Sequence, residues 1–157
     1  MGQGYSGSIA NKSNDQGLED HLRSLHLSLR SYLGGGKYSL SDGNYSMVYS
    51  AIDTSRNAPC AVKIIRCSYG IINYWEPSVH KTVSGGPNIV AFLDVSRYRN
   101  MLLLSFQLCP GGTMTNFINV GHYEGNTPLI IAHFLQLLDA VQYCHNQGIY
   151  HRNITPE

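Results

Sequence analysis

Between Pro128 and Asn146 the side chains of Ile130, Phe134, Leu137, Val141 and Cys144 recur on one helical face, and Ile131, Leu135 and Leu138 widen it sideways. A helix that is apolar over so wide an arc has to be buried by something, so the rest of the chain must supply packing partners. With 157 residues, 43% of them hydrophobic, the chain is long enough for one globular domain with a core and too short for two full-sized ones. The longest purely apolar runs, Met101 to Leu104 and Leu129 to Ala132, fall far below the roughly 18 residues of a membrane-spanning helix, and the N-terminus has no apolar signal core. Neither secretion by a standard signal nor a transmembrane segment is expected.

Charge narrows the function classes. Eleven Lys and Arg against ten Asp and Glu give a net charge of +1, and charged residues make up only 13% of the chain, so no basic footprint for nucleic acid is present. Cys60, Cys67, Cys109 and Cys144 form no Cys-x-x-Cys pair, which argues against a zinc site or a redox dithiol. Reduced thiols in a cytoplasmic or nuclear protein fit this pattern. His145 and His151 lie near one another in sequence without a third ligand, so no metal centre is expected from them.

Residues 1–17 are dominated by Gly, Ser, Asn and Gln, a composition that reads as a mobile tail. Leu18, Leu22, Leu25 and Leu29 follow helical spacing, while Leu25, Leu27 and Leu29 also alternate as in a strand; a short surface helix is favoured. Gly34-Gly35-Gly36 reads as a break, since residues without a Cβ have the most backbone freedom to lose. Three strands are predicted next, Lys37 to Leu40, Met47 to Ile52 and Cys60 to Ile65, with Ser41-Asp42-Gly43-Asn44 and Ser55-Arg56-Asn57 as the turns of an antiparallel meander. Trp75, Val79 and Val83 suit a helix over 74–83 that Gly85-Gly86-Pro87 ends. Two more strands, Ile89 to Val95 and Met101 to Phe106, flank the polar hairpin Ser96 to Asn100. After Pro110-Gly111-Gly112, Thr113 is an N-cap for a short helix through Ile118, and Gly148 stops the long apolar helix.

Several residues along this order carry chemistry. The turn with Ser41, Gly43 and Ser46, followed by Val48, can lay backbone N–H groups over phosphates, although taken alone it reads as an ordinary Ser/Gly hairpin. Ala61-Val62-Lys63-Ile64 puts a cation inside an apolar strand, which is costly unless an anion meets it or the amine snorkels to water. Glu76 near the start of the next helix offers a carboxylate partner, or simply a solvated acid favoured by the helix dipole. Pro77 sets the helix start near Glu76.

Taken in order, these segments resemble the eukaryotic protein kinase family, of serine/threonine type, from about Lys37 to the last residue. Tyr143-Cys144-His145-Asn146-Gln147-Gly148-Ile149-Tyr150-His151-Arg152 is similar to the helix and entry of a kinase catalytic loop, and Ala61-Val62-Lys63-Ile64 to the strand with the phosphate-binding lysine. Ser84 to Val90 resembles the link into the fourth strand. Phe106-Gln107-Leu108-Cys109-Pro110-Gly111-Gly112 resembles the gatekeeper and adenine-binding hinge, with Phe106 as gatekeeper and Leu108 or Cys109 supplying backbone hydrogen bonds.

The resemblance implies an α+β fold: a five-stranded antiparallel sheet with one helix as the small lobe, then the first helices of the large lobe. The expected organisation is a mobile N-terminal segment with a short helix over 1–36, a small lobe with its hinge over 37–108, and an incomplete large lobe over 109–157. It also implies ATP as ligand, with Gly43 and the backbone around it over the phosphates, Val48 and Ala61 packing on adenine, Lys63 on the phosphates, Leu108 and Cys109 at the hinge, and a protein substrate or partner kinase. Departures from the pattern bear on activity. Ser41 and Ser46 stand where the family has glycine, and Thr155 where serine/threonine kinases carry a lysine. Asn153 stands where the family places the aspartate that accepts the substrate proton, and a neutral amide has no basic carboxylate to offer; His151, Arg152 and Asn153 mark the catalytic loop with its base lost. The metal-binding asparagine and the Asp-Phe-Gly segment would follow residue 157, so the magnesium site is expected to be incomplete. Impaired transfer of the ATP γ-phosphate to Ser/Thr is one expectation; a pseudokinase binding or scaffold module is the alternative, and an incomplete reading of a longer kinase-like chain is a third. Met1-Gly2 with Ser6 also matches a myristoylation pattern, for which one acyl chain gives a marginal association constant of roughly 10⁴ M⁻¹.

Overall fold

A computed structural model describes residues 16–39, 44–67 and 74–156. The stretch read as a mobile tail lies outside these residues except for Gln16 and Gly17, which open a helix. That helix, α1 (Gln16–Ser24), is followed by strand β1 (Leu27–Ser39), so both readings of the leucine pattern hold, one after the other. Leu18 and Leu22 obey the helical spacing and Leu27 and Leu29 the alternating one, with the switch at His26, whose backbone is left-handed at φ 58°.

β1 overturns one expectation. The strand predicted at 37–40 is the far end of a 13-residue strand, and Gly34-Gly35-Gly36 sits inside it rather than ending regular structure. Pairing with the next strand shifts register between Leu29 and Tyr32, between Tyr32 and Gly34, and between Lys37 and Ser39. Glycine tolerates the irregular backbone of such bulges, so the triplet marks a bend in the strand and not its boundary.

Strands β2 (Asn44–Asp53), β3 (Ala58–Arg66), β4 (Phe92–Tyr98) and β5 (Met101–Gln107) complete a five-stranded antiparallel sheet in the order β1-β2-β3-β5-β4. The turn from β2 to β3 is built by Asp53, whose Oδ1 accepts from Ser55 N at 2.9 Å, Ser55 Oγ at 2.6 Å and Arg56 N at 3.1 Å. β4 starts at Phe92 and not Ile89, and it runs on through Tyr98. Gly85 (φ 86°) and Asn88 (φ 56°) keep the preceding segment in a turn, and Ser84 Oγ accepts the Phe92 N–H at 3.0 Å.

Period-two alternation sorts the sheet into two faces. Tyr49 and Ala51, Cys60, Val62 and Ile64, and Met101 and Leu103 form one buried cluster with Leu22 of α1 and Leu27, and Leu18, Leu25, Leu29, Met47 and Tyr98 pack against it. Val62 and Leu104 are completely buried, at 0% exposure.

The molecule divides into two compact units: α1, β1, β2, β3, β5 and β4 from Asp94 onward form the first, and α2 (Trp75–Val83), Phe92-Leu93, α3 (Met114–Asn119) and α4 (Thr127–Asn146) belong to the second. In α2, Pro77 falls in the first turn, where its missing N–H leaves no intrahelical bond unmade. Thr113 caps α3 as expected, its hydroxyl accepting from Asn116 N at 3.3 Å. Asn126 caps α4 by accepting from Leu129 N at 3.2 Å. At the other end Gly148 (φ 72°) closes a Schellman motif, with Gly148 N donating to His145 O and Ile149 N to Cys144 O, both at 2.9 Å. The buried Gly86 lies against the Tyr143 ring so closely that a Cβ there would collide with it. Along α4, Ile131, Phe134, Leu135 and Leu138 are exposed, and no helix among the described residues is long and apolar enough to cross a membrane.

Candidate functional site

The face of the sheet opposite the α1 cluster brings several of the singled-out residues together. β3 alternates, so Cys60, Val62 and Ile64 enter the cluster while Ala61, Lys63 and Ile65 project to the other side. Antiparallel register then builds cross-strand rows: Val48, Lys63 and Leu104 lie side by side, with Ser50, Ala61 and Phe106 in the next row and Ser46, Ile65 and Leu102 in the row beyond. Val48, Ala61 and Lys63 are half-buried, whereas Leu104 and Phe106 are buried. A cation therefore stands between two apolar side chains on a face that also presents a small alanine and an aromatic ring. Such a surface can take the flat, apolar part of a ligand on Val48 and Ala61 and an anionic part on Lys63. Leu104, the third member of the lysine's row, was not singled out from sequence; its place two residues before Phe106 on the same strand was the signal available.

Other candidates fall elsewhere. Ser41 and Gly43 lie outside the described residues, and Ser46 pairs with Ile65 and Gly36 near the start of β2. Leu108, half-buried, directly follows β5, and Cys109 is exposed beyond it. Glu76 is in the first turn of α2, in the second unit, where its Oε1 lies 3.7 Å from His80 Nε2; the His80 ring stacks on Phe92 at 6.3 Å.

The segment after α4 is exposed throughout 150–156. Arg152 has a left-handed backbone (φ 64°), which a residue with a Cβ adopts only when its surroundings hold it there. Asn153 N donates to His151 Nδ1 at 3.3 Å, and Pro156 O accepts from Thr115 N at 2.8 Å, which ties the segment to α3. His145 and Tyr150 rings meet at 4.8 Å. His151, Arg152 and Asn153 thus share one short loop anchored at both ends. Among the described residues no three His, Cys, Asp or Glu side chains come together as metal ligands.

Comparison with known proteins decides the family. Residues 37–157 match the protein kinase domain, from β1 to the loop of Asn153. The chain belongs to the protein kinase family. It is similar to the negative regulator of sexual conjugation and meiosis of Schizosaccharomyces pombe, 35% identical over 122 residues, 73% of this chain and 26% of that protein. It is also similar to CBL-interacting serine/threonine-protein kinase 21 of Arabidopsis thaliana, 30% identical over 131 residues, 78% of this chain and 31% of that one. MAP kinase kinase kinase SSK2 of Saccharomyces cerevisiae is 29% identical over 142 residues, 85% of this chain and 8% of the relative. The chain therefore spans a quarter to a third of the length of the first two relatives. The five-stranded sheet and the helices after it fit the small lobe of a kinase and the start of the large one.

Proposed function

We propose that this kinase-family chain binds ATP on the sheet face that carries Lys63, and that it transfers the γ-phosphate to Ser/Thr poorly or not at all. The observation that carries the first half is the row Val48, Lys63 and Leu104 beside Ala61 and Phe106, a cation set among apolar groups. In this reading Lys63 meets the phosphates, Val48 and Ala61 pack on adenine, Phe106 is the gatekeeper, and the backbones of Leu108 and Cys109 hold the base edge. His151 and Arg152 shape the catalytic loop.

The second half rests on Asn153. A general base contributes roughly 10² to 10⁴ in rate where it operates, and an amide cannot supply it. The test is a radiolabelled phosphate assay of the purified chain with a generic Ser/Thr protein substrate and the Lys63→Ala variant as control. Incorporation no higher than in the control is expected; incorporation that disappears in the control overturns the impairment.

A second reading, a binding or scaffold module that docks on a partner kinase, is favoured by Asn153 together with the exposed apolar face of α4. Four free cysteines fit a reducing compartment, cytoplasm or nucleus.

A further inference from the structure

The matched kinase region begins at Lys37, yet α1 and the first ten residues of β1 precede it and are built into the covered face of the sheet. Leu22 is part of the buried cluster that includes Cys60, and Leu18 and Leu25 pack against that cluster. Two polar ties reach opposite edges. At the end that leads into β1, His26 O accepts from Thr54 N at 2.7 Å and from Thr54 Oγ1 at 3.1 Å, just past β2. From the middle of the helix, His21 Nε2 bonds Ser96 Oγ at 2.9 Å and its ring stacks on Tyr98 at 5.1 Å, both on the edge strand β4. α1 therefore crosses the sheet from the β1 edge to the β4 edge.

What holds α1 differs from what holds the strands. The strands are joined by ladders of backbone hydrogen bonds, interrupted by bulges only between β1 and β2 among the described pairs. A helix of nine residues is too short to be stable alone, so its folding and its docking form a single step. The ion pairs among its own charges, Arg23 with Glu19 at 3.7 Å and with Asp20 at 3.5 Å, are exposed and internal to the helix. They stabilise the helix and do not anchor it.

We infer that α1 is a separable strap: it leaves and rejoins the sheet without unfolding the five strands, and its release uncovers the apolar face that contains Cys60. Segments secured by few side chains open at lower free energy than ladder-bonded strands, and a buried thiol beneath such a segment reports each opening. Cys67 is the internal control, because it is buried outside the cluster that α1 covers.

The experiment is iodoacetamide labelling of the full chain, with each cysteine followed by mass spectrometry across a low-urea series. In the native chain Cys60 is expected to label faster than Cys67 and with a shallower dependence on urea. His21→Ala should speed Cys60 labelling roughly fivefold, the effect of losing one hydrogen bond and a ring contact, with Cys67 unchanged and the far-ultraviolet melt of the strands unmoved. Leu22→Ala should speed it further, and if that variant fails to fold, His21→Ala still decides. Cys60 and Cys67 labelling in step, both tracking the global melt, would overturn the strap. So would a Cys60 rate that His21→Ala leaves unchanged.

Discussion

The sheet and helix α4 are the two most apolar regions of the molecule, and they end up in opposite situations. Met101, Leu102, Leu103 and Leu104 are each at most 2% exposed, whereas Phe134 and Leu135 on α4 are 56% and 54% exposed. Both patterns ask for burial. A strand meets the demand through neighbours on either side and, for Met101 and Leu103, through a covering element as short as α1. A long helix with a wide apolar arc needs several elements packed around it, and the described residues do not supply them to α4.

That contrast is open to direct attack. The largest effect is expected from truncating the sheet core: Leu104→Ala should cost about 2 to 5 kcal/mol of unfolding free energy, by chemical denaturation, while Phe134→Ala on α4 should change it by less than about 0.5 kcal/mol. A large loss at Phe134 would mean that the α4 face is packed in solution. Next in size is an effect on association. Because contiguous exposed apolar patches drive self-association, light scattering of the wild-type chain should show oligomers, and Phe134→Lys combined with Leu138→Glu should shift it toward monomer. A monodisperse wild-type monomer would contradict this. Helix caps come third: Thr113→Ala and Asn126→Ala should each cost about 1 kcal/mol, detectable as a lower melting temperature, since each removes the acceptor for an N–H of the first turn.

The smallest effect concerns pH. The Ser55 hydroxyl, with the N–H groups of Arg56 and Ser55 and the Arg56 charge, holds the Asp53 carboxyl below the usual carboxylate value, against a smaller opposing effect of desolvation. A depressed folded value means that the turn's contribution is fully present above the unfolded carboxylate value and is lost as pH falls through the folded one. Ser55→Ala should move the Asp53 titration upward by carbon-detected nuclear magnetic resonance. An unmoved titration would remove the hydroxyl as the main cause.

Much of this was legible in sequence, and the failures have physical causes. The three central strands, the α2 start set by Pro77, the Thr113 cap and the Gly148 stop each follow from local chemistry: alternation, a missing N–H, a hydroxyl acceptor and a left-handed residue. β1 was misread because a glycine triplet says that backbone freedom is high without saying whether a neighbouring strand will fix it; pairing with β2 does so through bulges. The β4 boundary moved because Ile89-Val90 is apolar enough for a strand, while Asn88 and Gly85 hold the preceding turn and Ser84 captures the Phe92 N–H. For the candidate site, the lysine in an apolar strand was visible, but its neighbours Val48 and Leu104 required the register.

The most direct test of the central proposal is thermal stabilisation of the purified chain by ATP, with and without magnesium, in the wild type and in Lys63→Ala. A ligand that binds only the folded state raises its melting temperature in proportion to the logarithm of its concentration. The wild type should be stabilised by ATP and Lys63→Ala should not. Equal shifts in both proteins, or no shift in the wild type at millimolar ATP, would contradict a nucleotide site built on that lysine.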